Sequence, residues 1–336
     1  MRLIATGLAL LVWLAAAAWG STALWIDGPG GSLARALLAG GFGAGLLGLR
    51  FGLRPWRRGA IGAALLFLAV LGWWLLLAPS HERNWLPEVA ELPRATLDGE
   101  LLTIENVRNF RYRSERDFDE AWETRTWDLS RLRGVDIFLV TWGAAGIAHT
   151  ITSWEFEDAP PISISIETRK ERGEAYSAVL GFFRQFELYY VVGDERDLIG
   201  VRASHRSEKV RLYHLKQSAA DARALLLDYL GAVNQIAEEA DWYNAATHNC
   251  TTTIRLHMQH VGLAHPFDWR ILLNERLDEM GYEQERLDTS LSFEALRAAS
   301  DVTERARMAD GQPDFSERIR AGLPGGHPTS GDERGR

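Results

Sequence analysis

Candidate chemistry in this sequence begins at Asp241–Val261, the stretch that holds the only cysteine of 336 residues. Asn249 is a good helix cap, and after it Ile254, Met258 and Val261 recur at helical spacing until Gly262 supplies a stop. Cys250 is therefore expected in the first turn of a helix. There the exposed backbone N–H groups and the positive end of the dipole favour an anion, so a thiol is acidified and more of it is available as a thiolate nucleophile. The plainer alternative is a small buried core residue, because free cysteine is among the most buried types.

A cysteine nucleophile needs a base within hydrogen-bond reach and a third group that orients the base. Nine histidines are available. His149 ranks first, since it opens a strand just after the break Gly143-Ala-Ala-Gly146 and so stands at the open edge of a sheet. Along His149–Phe156 the side chains alternate, which puts His149, Ile151, Ser153 and Glu155 on one face. Ile162–Arg169 alternates strictly, with three isoleucines on one face and Ser163, Ser165, Glu167 and Arg169 on the other. Ser153 on the histidine's own strand, and Ser165 or Glu167 on the next, are the candidate orienting groups; of these only Glu167 would stabilise an imidazolium. The alternative is that Glu167 and Arg169 pair with each other.

The remaining candidates rank lower. His248, two residues from Cys250, is the second choice of base. His205 and His214 read as surface or satisfied histidines, and His81 and His327 lie at the membrane exit and in the tail. His257, His260 and His265 invite a metal reading, but the glutamate beside the first histidine of the usual zinc pattern is missing, so no metal site is expected. Asn249 or a helix N–H could serve an oxyanion, and Asn244 could brace the loop leading to Cys250. Asp194-Glu-Arg-Asp197 with Arg202 reads as a solvated turn with ion pairs of small value. There is no glycine-rich phosphate loop, and no cofactor is expected.

The elements that must position these residues follow an apolar N-terminus. Leu3–Trp25, Leu33–Leu49 and Ala60–Ala78 are apolar runs without acidic residues, and a membrane span needs about 20 such residues. The loop Ile26–Gly31 carries an aspartate and no base, whereas Arg50–Arg58 carries four arginines, so the positive-inside rule puts the second loop and the N-terminus in the cytoplasm. From His81 onward the chain then lies outside the cytoplasm, in the periplasm of a Gram-negative cell. An unpaired thiol in an oxidising compartment is a liability unless buried or used, which favours a used Cys250. A net charge of −8 and the lack of a basic stripe after residue 83 argue against a nucleic-acid partner. Strands are expected at 101–104, 107–112, 135–142, 149–156, 162–169, 186–192, 198–203 and 209–215, and helices at 172–184, 218–236 and 250–261, with a short one near 270–280. The chain divides into a three-helix anchor at 1–80, an α+β domain at 81–300 and a polar tail at 301–336 that reads as disorder.

Residues 135–261 resemble the periplasmic domain of the bacterial lipoprotein N-acyltransferase family called Lnb. The likeness rests on His149-Thr-Ile-Thr-Ser-Trp-Glu-Phe156, Ile166-Glu-Thr-Arg169, Phe186-Glu-Leu-Tyr-Tyr190 with Asp194-Glu-Arg-Asp197, and Trp242-Tyr-Asn244 followed by Asn249-Cys-Thr-Thr252. It implies a multi-pass protein of the inner membrane with a periplasmic thiol acyltransferase domain, Cys250 as nucleophile and His149 as its partner, oriented by Ser153 or Glu167. The order, histidine strand first and Asn-Cys helix later, is similar to permuted papain-like thiol folds that take acyl chains from phospholipids. The expected donor is a phospholipid and the expected acceptor the N-terminal cysteine amine of a diacylated lipoprotein. A periplasmic cysteine peptidase or amidase would use the same pair with water, and a membrane scaffold would leave Cys250 as an inert core residue.

Overall fold

The apolar N-terminal runs form three helices in the computed structural model, which describes residues 2–144 and 146–327. These are α1 (Arg2–Ile26), α2 (Ser32–Leu47) and α3 (Trp56–Leu75), and each belongs to a segment long and apolar enough to cross a membrane. Small residues let α1 and α2 approach closely, the packing that helices without a hydrophobic driving force between them require. A Cβ on Gly20 would fall 2.3 Å from the Phe42 ring, and Ser21 Oγ donates to Ala39 O across the same contact at 2.9 Å.

Two compact units result, Met1–Ser80 with Ala175–Glu187, and His81–Glu174 with Leu188–Arg336. The expected helix at 172–184 is absent. Gly173, at φ +93°, and Gly181 are poor helix formers, and only a short 3-10 turn forms at Leu180–Phe182. Leu180 and Phe183 are instead satisfied within the first unit, packing with Ala23, Ile26 and Trp74. Arg184 donates to Leu77 O at 2.9 Å and lies 4.7 Å over the Trp74 ring.

Among the described residues ten strands are formed: β1 (Arg94–Asp98), β2 (Leu101–Arg108), β3 (Arg111–Ser114), β4 (Asp117–Asp119), β5 (Trp122–Asp128), β6 (Leu132–Thr141), β7 (His149–Phe156), β8 (Ile162–Arg169), β9 (Glu187–Gly193) and β10 (Lys209–His214). The main sheet has the order β1-β2-β9-β8-β7-β6-β10, with β5 added on β2 and β3-β4 as a separate hairpin. Glu105-Asn106 is not a turn between strands. β2 runs through it on a bulge, with Asn106 at φ 59°. Antiparallel register sets Asp136 of β6 opposite Ser153 of β7, and Ser153 opposite Ser163 of β8.

Alternation then sends Ile151 and Trp154 to opposite faces, and both faces are covered. On Trp154's side lies α5 (Ala219–Glu238), whose Ala222 O accepts from the indole at 2.9 Å and whose Tyr229 meets the ring edge-on. On the side of Ile151 lie α4 (Glu195–Leu198) and a π-helical turn, Val201–His205, where a strand was expected at 198–203. Asp194 starts this helical stretch by capping it, accepting from Arg196 N at 3.0 Å. The Asp194–Asp197 run is therefore no solvated turn. Glu195 and Asp197 are buried, and Asp197 is bidentate to Arg108, with the shortest contact at 2.8 Å.

After α6 (Cys250–His260) come α7 (Leu277–Glu283), α8 (Phe293–Ala299), α9 (Thr303–Met308) and α10 (Phe315–Arg320). The expectation of disorder from residue 301 is thus corrected up to 327, and its remainder, 328–336, lies outside the described residues. The stretch is poor in apolar residues, but Val302, Ala306, Ala309, Phe315 and Ile319 are spaced so that all are buried against Phe138, Ile151 and Val210. Arg320 completes the contact, reaching Asp136 at 2.7 Å and Glu195 at 2.6 Å, while His214 and His327 each bond Asp136 at 2.7 Å. Replacing one partner of such a buried cluster strands the other charges. Arg320→Leu is expected to destabilise the fold by about 3–5 kcal/mol, read as a lower denaturant midpoint. An unchanged midpoint would mean that α10 is not part of the core.

Candidate active site

Cys250 is the first residue of α6, as its sequence context requires. Asn249 Oδ1 accepts from Thr251 N and Thr252 N, both at 2.9 Å, while Thr252 Oγ1 accepts from Asn249 N at 3.0 Å, a reciprocal cap. Its amide donates to Ala245 O at 2.8 Å, so the Asn249 side chain helps to build the helix start. Asn244 has the supporting role, its Oδ1 accepting from Ala246 N and Thr247 N in the approach loop.

The thiol is buried and touches β7. Burial works against its anion, but the adjoining His149, by charge and by hydrogen bond, and the Thr150 backbone N–H hold the Cys250 thiol below its ordinary value. His149 Nε2 is shared between Ser165 Oγ at 2.7 Å and Glu167 Oε1 at 3.0 Å, and Ser165 also donates to that carboxylate oxygen at 2.7 Å. This leaves Nδ1 as the ring nitrogen available to the sulfur. Burial disfavours a charged His149, yet the Glu167 carboxylate outweighs it and, with Cys250, lifts the imidazolium to about 9 against the repulsion of Arg202. Burial likewise pushes Glu167 up, but His149 and Arg202 bring its carboxyl well below the usual range. Arg202 stands 2.7 Å from Glu167 and 3.2 Å from Glu208. Charges therefore alternate along one row, Cys250, His149, Glu167, Arg202, Glu208. Both shifts favour a thiolate beside an imidazolium over the neutral pair, the direction in which a cysteine is activated.

Of the candidate orienting groups, Glu167 and Ser165 meet His149 and Ser153 does not. Ser153 points into the Arg320 cluster, donating to Glu195 Oε1 at 2.5 Å and bonding Ser163 Oγ at 2.9 Å. Glu167 does not pair with Arg169, whose guanidinium donates to Val89 O and Ala90 O and lies 4.3 Å over the Trp85 ring. His248 bonds its neighbour Thr247 Oγ1 at 2.9 Å.

Two participants carried no recognisable signal. Arg202 reads as part of a solvated turn, and Asn274 falls in the short helix expected near 270–280, whose pattern does not single it out. Asn274 is buried; its Nδ2 is 2.5 Å from Thr251 Oγ1 and 4.0 Å from Cys250 Sγ, and its Oδ1 accepts from Ala148 N at 2.7 Å. It thus ties the cysteine helix to the residue before His149. Elsewhere on α6, His257 Nδ1 and His260 Nδ1 lie 2.7 and 3.1 Å from Asp228 Oδ2, a donor set of metal-ligand type, with His257 Nε2 bonded to Tyr190 OH. His265 stands apart and accepts from Arg286 Nε.

The raised His149 value means that its positive charge is present below pH about 9 and lost as pH rises through it. Glu167→Gln removes the anion that keeps the imidazolium charged, and the thiol in turn loses its nearest cation. Iodoacetamide labelling of Cys250, read by mass spectrometry across pH, should then begin at a higher pH than in the wild type. Superimposable profiles would rule out a Glu167-supported ion pair.

No curated protein and no solved structure matches the chain. Residues 118–275, which contain Cys250, His149, Ser165, Glu167, Arg202 and Asn274, match a family described as the Lnb N-terminal periplasmic domain.

Proposed function

We propose that the protein is a membrane-anchored lipoprotein N-acyltransferase that works through a Cys250 thioester, with a permuted papain-like arrangement of histidine strand and cysteine helix. The observation that carries this reading is the Cys250–His149–Glu167 row, a buried thiol with its oriented partner inside a segment that matches an Lnb-type domain. The three apolar helices add the location. Both substrates are lipids, and an anchor in the inner membrane confines the search to the plane they occupy, which raises effective concentration.

In the first half-reaction the Cys250 thiolate attacks the ester carbonyl of a phospholipid. A C–S bond forms, the C–O bond breaks, and the His149 imidazolium gives its proton to the departing lysophospholipid alkoxide. In the second, the α-amine of a diacylated lipoprotein attacks the thioester. Neutral His149 takes the amine's proton, an amide forms and the Cys250 thiolate leaves, restoring the starting ion pair. Glu167 stabilises the charged histidine each time it forms. Asn274 Nδ2, near the sulfur and anchored by Ala148, is suited to donate to the oxyanion.

The test is complementation of cells depleted of their own lipoprotein N-acyltransferase, with lipoprotein N-termini read by mass spectrometry. Triacylated lipoprotein is expected from wild type and not from Cys250→Ala, with His149→Ala down by about 10²–10⁴-fold. Asn274→Ala should lose roughly 10²–10³-fold, the usual cost of one oxyanion donor. Acylation persisting in Cys250→Ala would sink the thiol mechanism. Cleavage of soluble amides or peptides without N-acylation would favour the cysteine peptidase or amidase reading.

A further inference from the structure

An apolar cleft borders the nucleophile's helix within the globular unit. Its wall on α6 is the stripe Thr251, Ile254 and Met258, residues at i, i+3 and i+7 and so on one helical face. Cys250 immediately precedes that stripe, and Thr251 Oγ1 is 3.7 Å from its sulfur. From Thr251 to Met258 the helix rises about 10 Å, so the cleft leads away from the thiol along α6. Across from it stand Ile137 of β6, and Ile271 and Leu277, which flank Asn274 in sequence. Thr251, which lines the cleft, thus links it to the nucleophile and, through its bond to Asn274, to the candidate oxyanion donor.

The chemistry of the lining decides what the cleft would accept. Of the two arginines at its border, Arg286 Nε donates to His265 Nε2 at 2.8 Å and Arg255 to His265 O at 3.2 Å, while Arg255 Nε and Gln217 Nε2 have no hydrogen-bond partner among the described residues. Asp278 is held by Tyr213 OH at 2.8 Å and by Arg297 at 3.1 Å. The surface exposed in the cleft is almost wholly apolar, so a phosphate headgroup or a polar peptide would need more hydrogen-bonding partners than it offers. An aliphatic chain needs none.

We propose that this cleft is the acyl subsite, holding the aliphatic tail of a medium- or long-chain fatty acyl group while its carbonyl carbon is bonded to Cys250 Sγ. The inference rests on the acyl-transfer reading above and adds the site that selects the chain. Each methylene taken out of water strengthens binding about fourfold, so acylation should climb with chain length until the cleft is full. A filled cleft also keeps water from the thioester until the amine arrives.

The experiment uses full-length protein in detergent with nitrophenyl butanoate, octanoate and palmitate, following nitrophenolate release and the mass of the Cys250 adduct. Wild type should prefer the longer esters. Met258→Trp, and independently Met280→Trp on the facing wall, should lower the palmitoyl-to-butanoyl rate ratio by roughly 100-fold, the equivalent of three to four buried methylenes. Iodoacetamide labelling of Cys250 at the wild-type rate identifies variants with an intact thiol site. In such variants an unchanged ratio, or an equal loss with all three esters, overturns the subsite. No adduct from any ester in wild type overturns instead the acyl-transfer reading on which it rests.

Discussion

The alternation of buried and part-buried charge from Cys250 to Glu208 is the constraint on which the site depends. An ion taken out of water loses several kcal/mol of solvation even after relaxation, and only well-placed opposite charges and hydrogen bonds compensate for it. Here each member has such a neighbour. His149 lies between the Cys250 thiol and Glu167, Glu167 between His149 and Arg202, and Arg202 between two glutamates. The row draws on α6, β7, β8 and the π-helical turn, so the charge state of the thiol depends on four elements docking together.

A second polar cluster lies beneath the same strands. The polar row of β8 divides along its length: Ser165 and Glu167 serve His149, whereas Ser163 joins Ser153 toward Glu195 and Arg320. One strand face thus carries a reactive end and a structural end. The structural end recruits α10 and fixes the sheet on which the reactive end is aligned. Asn274 and Glu275 act similarly from the other side, bonding Ala148 N and Gly146 N at 2.7 Å each and holding the break before His149.

The anchor follows a simpler physics. Its helices approach through small residues at Gly20 and Ser21, and the loop Ala175–Glu187 packs with them through Leu180 and Phe183. An excursion from between β8 and β9 therefore belongs to the anchoring unit although it lies far from it in sequence.

The sequence by itself determined what short-range rules can carry. Helical spacing after Asn249 put Cys250 at a helix start, uninterrupted apolar runs gave the three candidate spans, and strict alternation in Ile162–Arg169 placed Glu167 and Ser165 on one face. Long-range contacts decided the rest. Which member of a polar row reaches the histidine depends on the register of β7 against β8, and this separated Glu167 from Ser153. Whether Asp194–Asp197, Arg202 and Arg320 are solvated or buried depends on what packs over them, and local composition is the same either way. Asn274 comes within reach of Cys250 from 24 residues away. No periodicity records such a meeting, because it is set by the packing of whole elements and not by the conformational preferences of neighbouring residues.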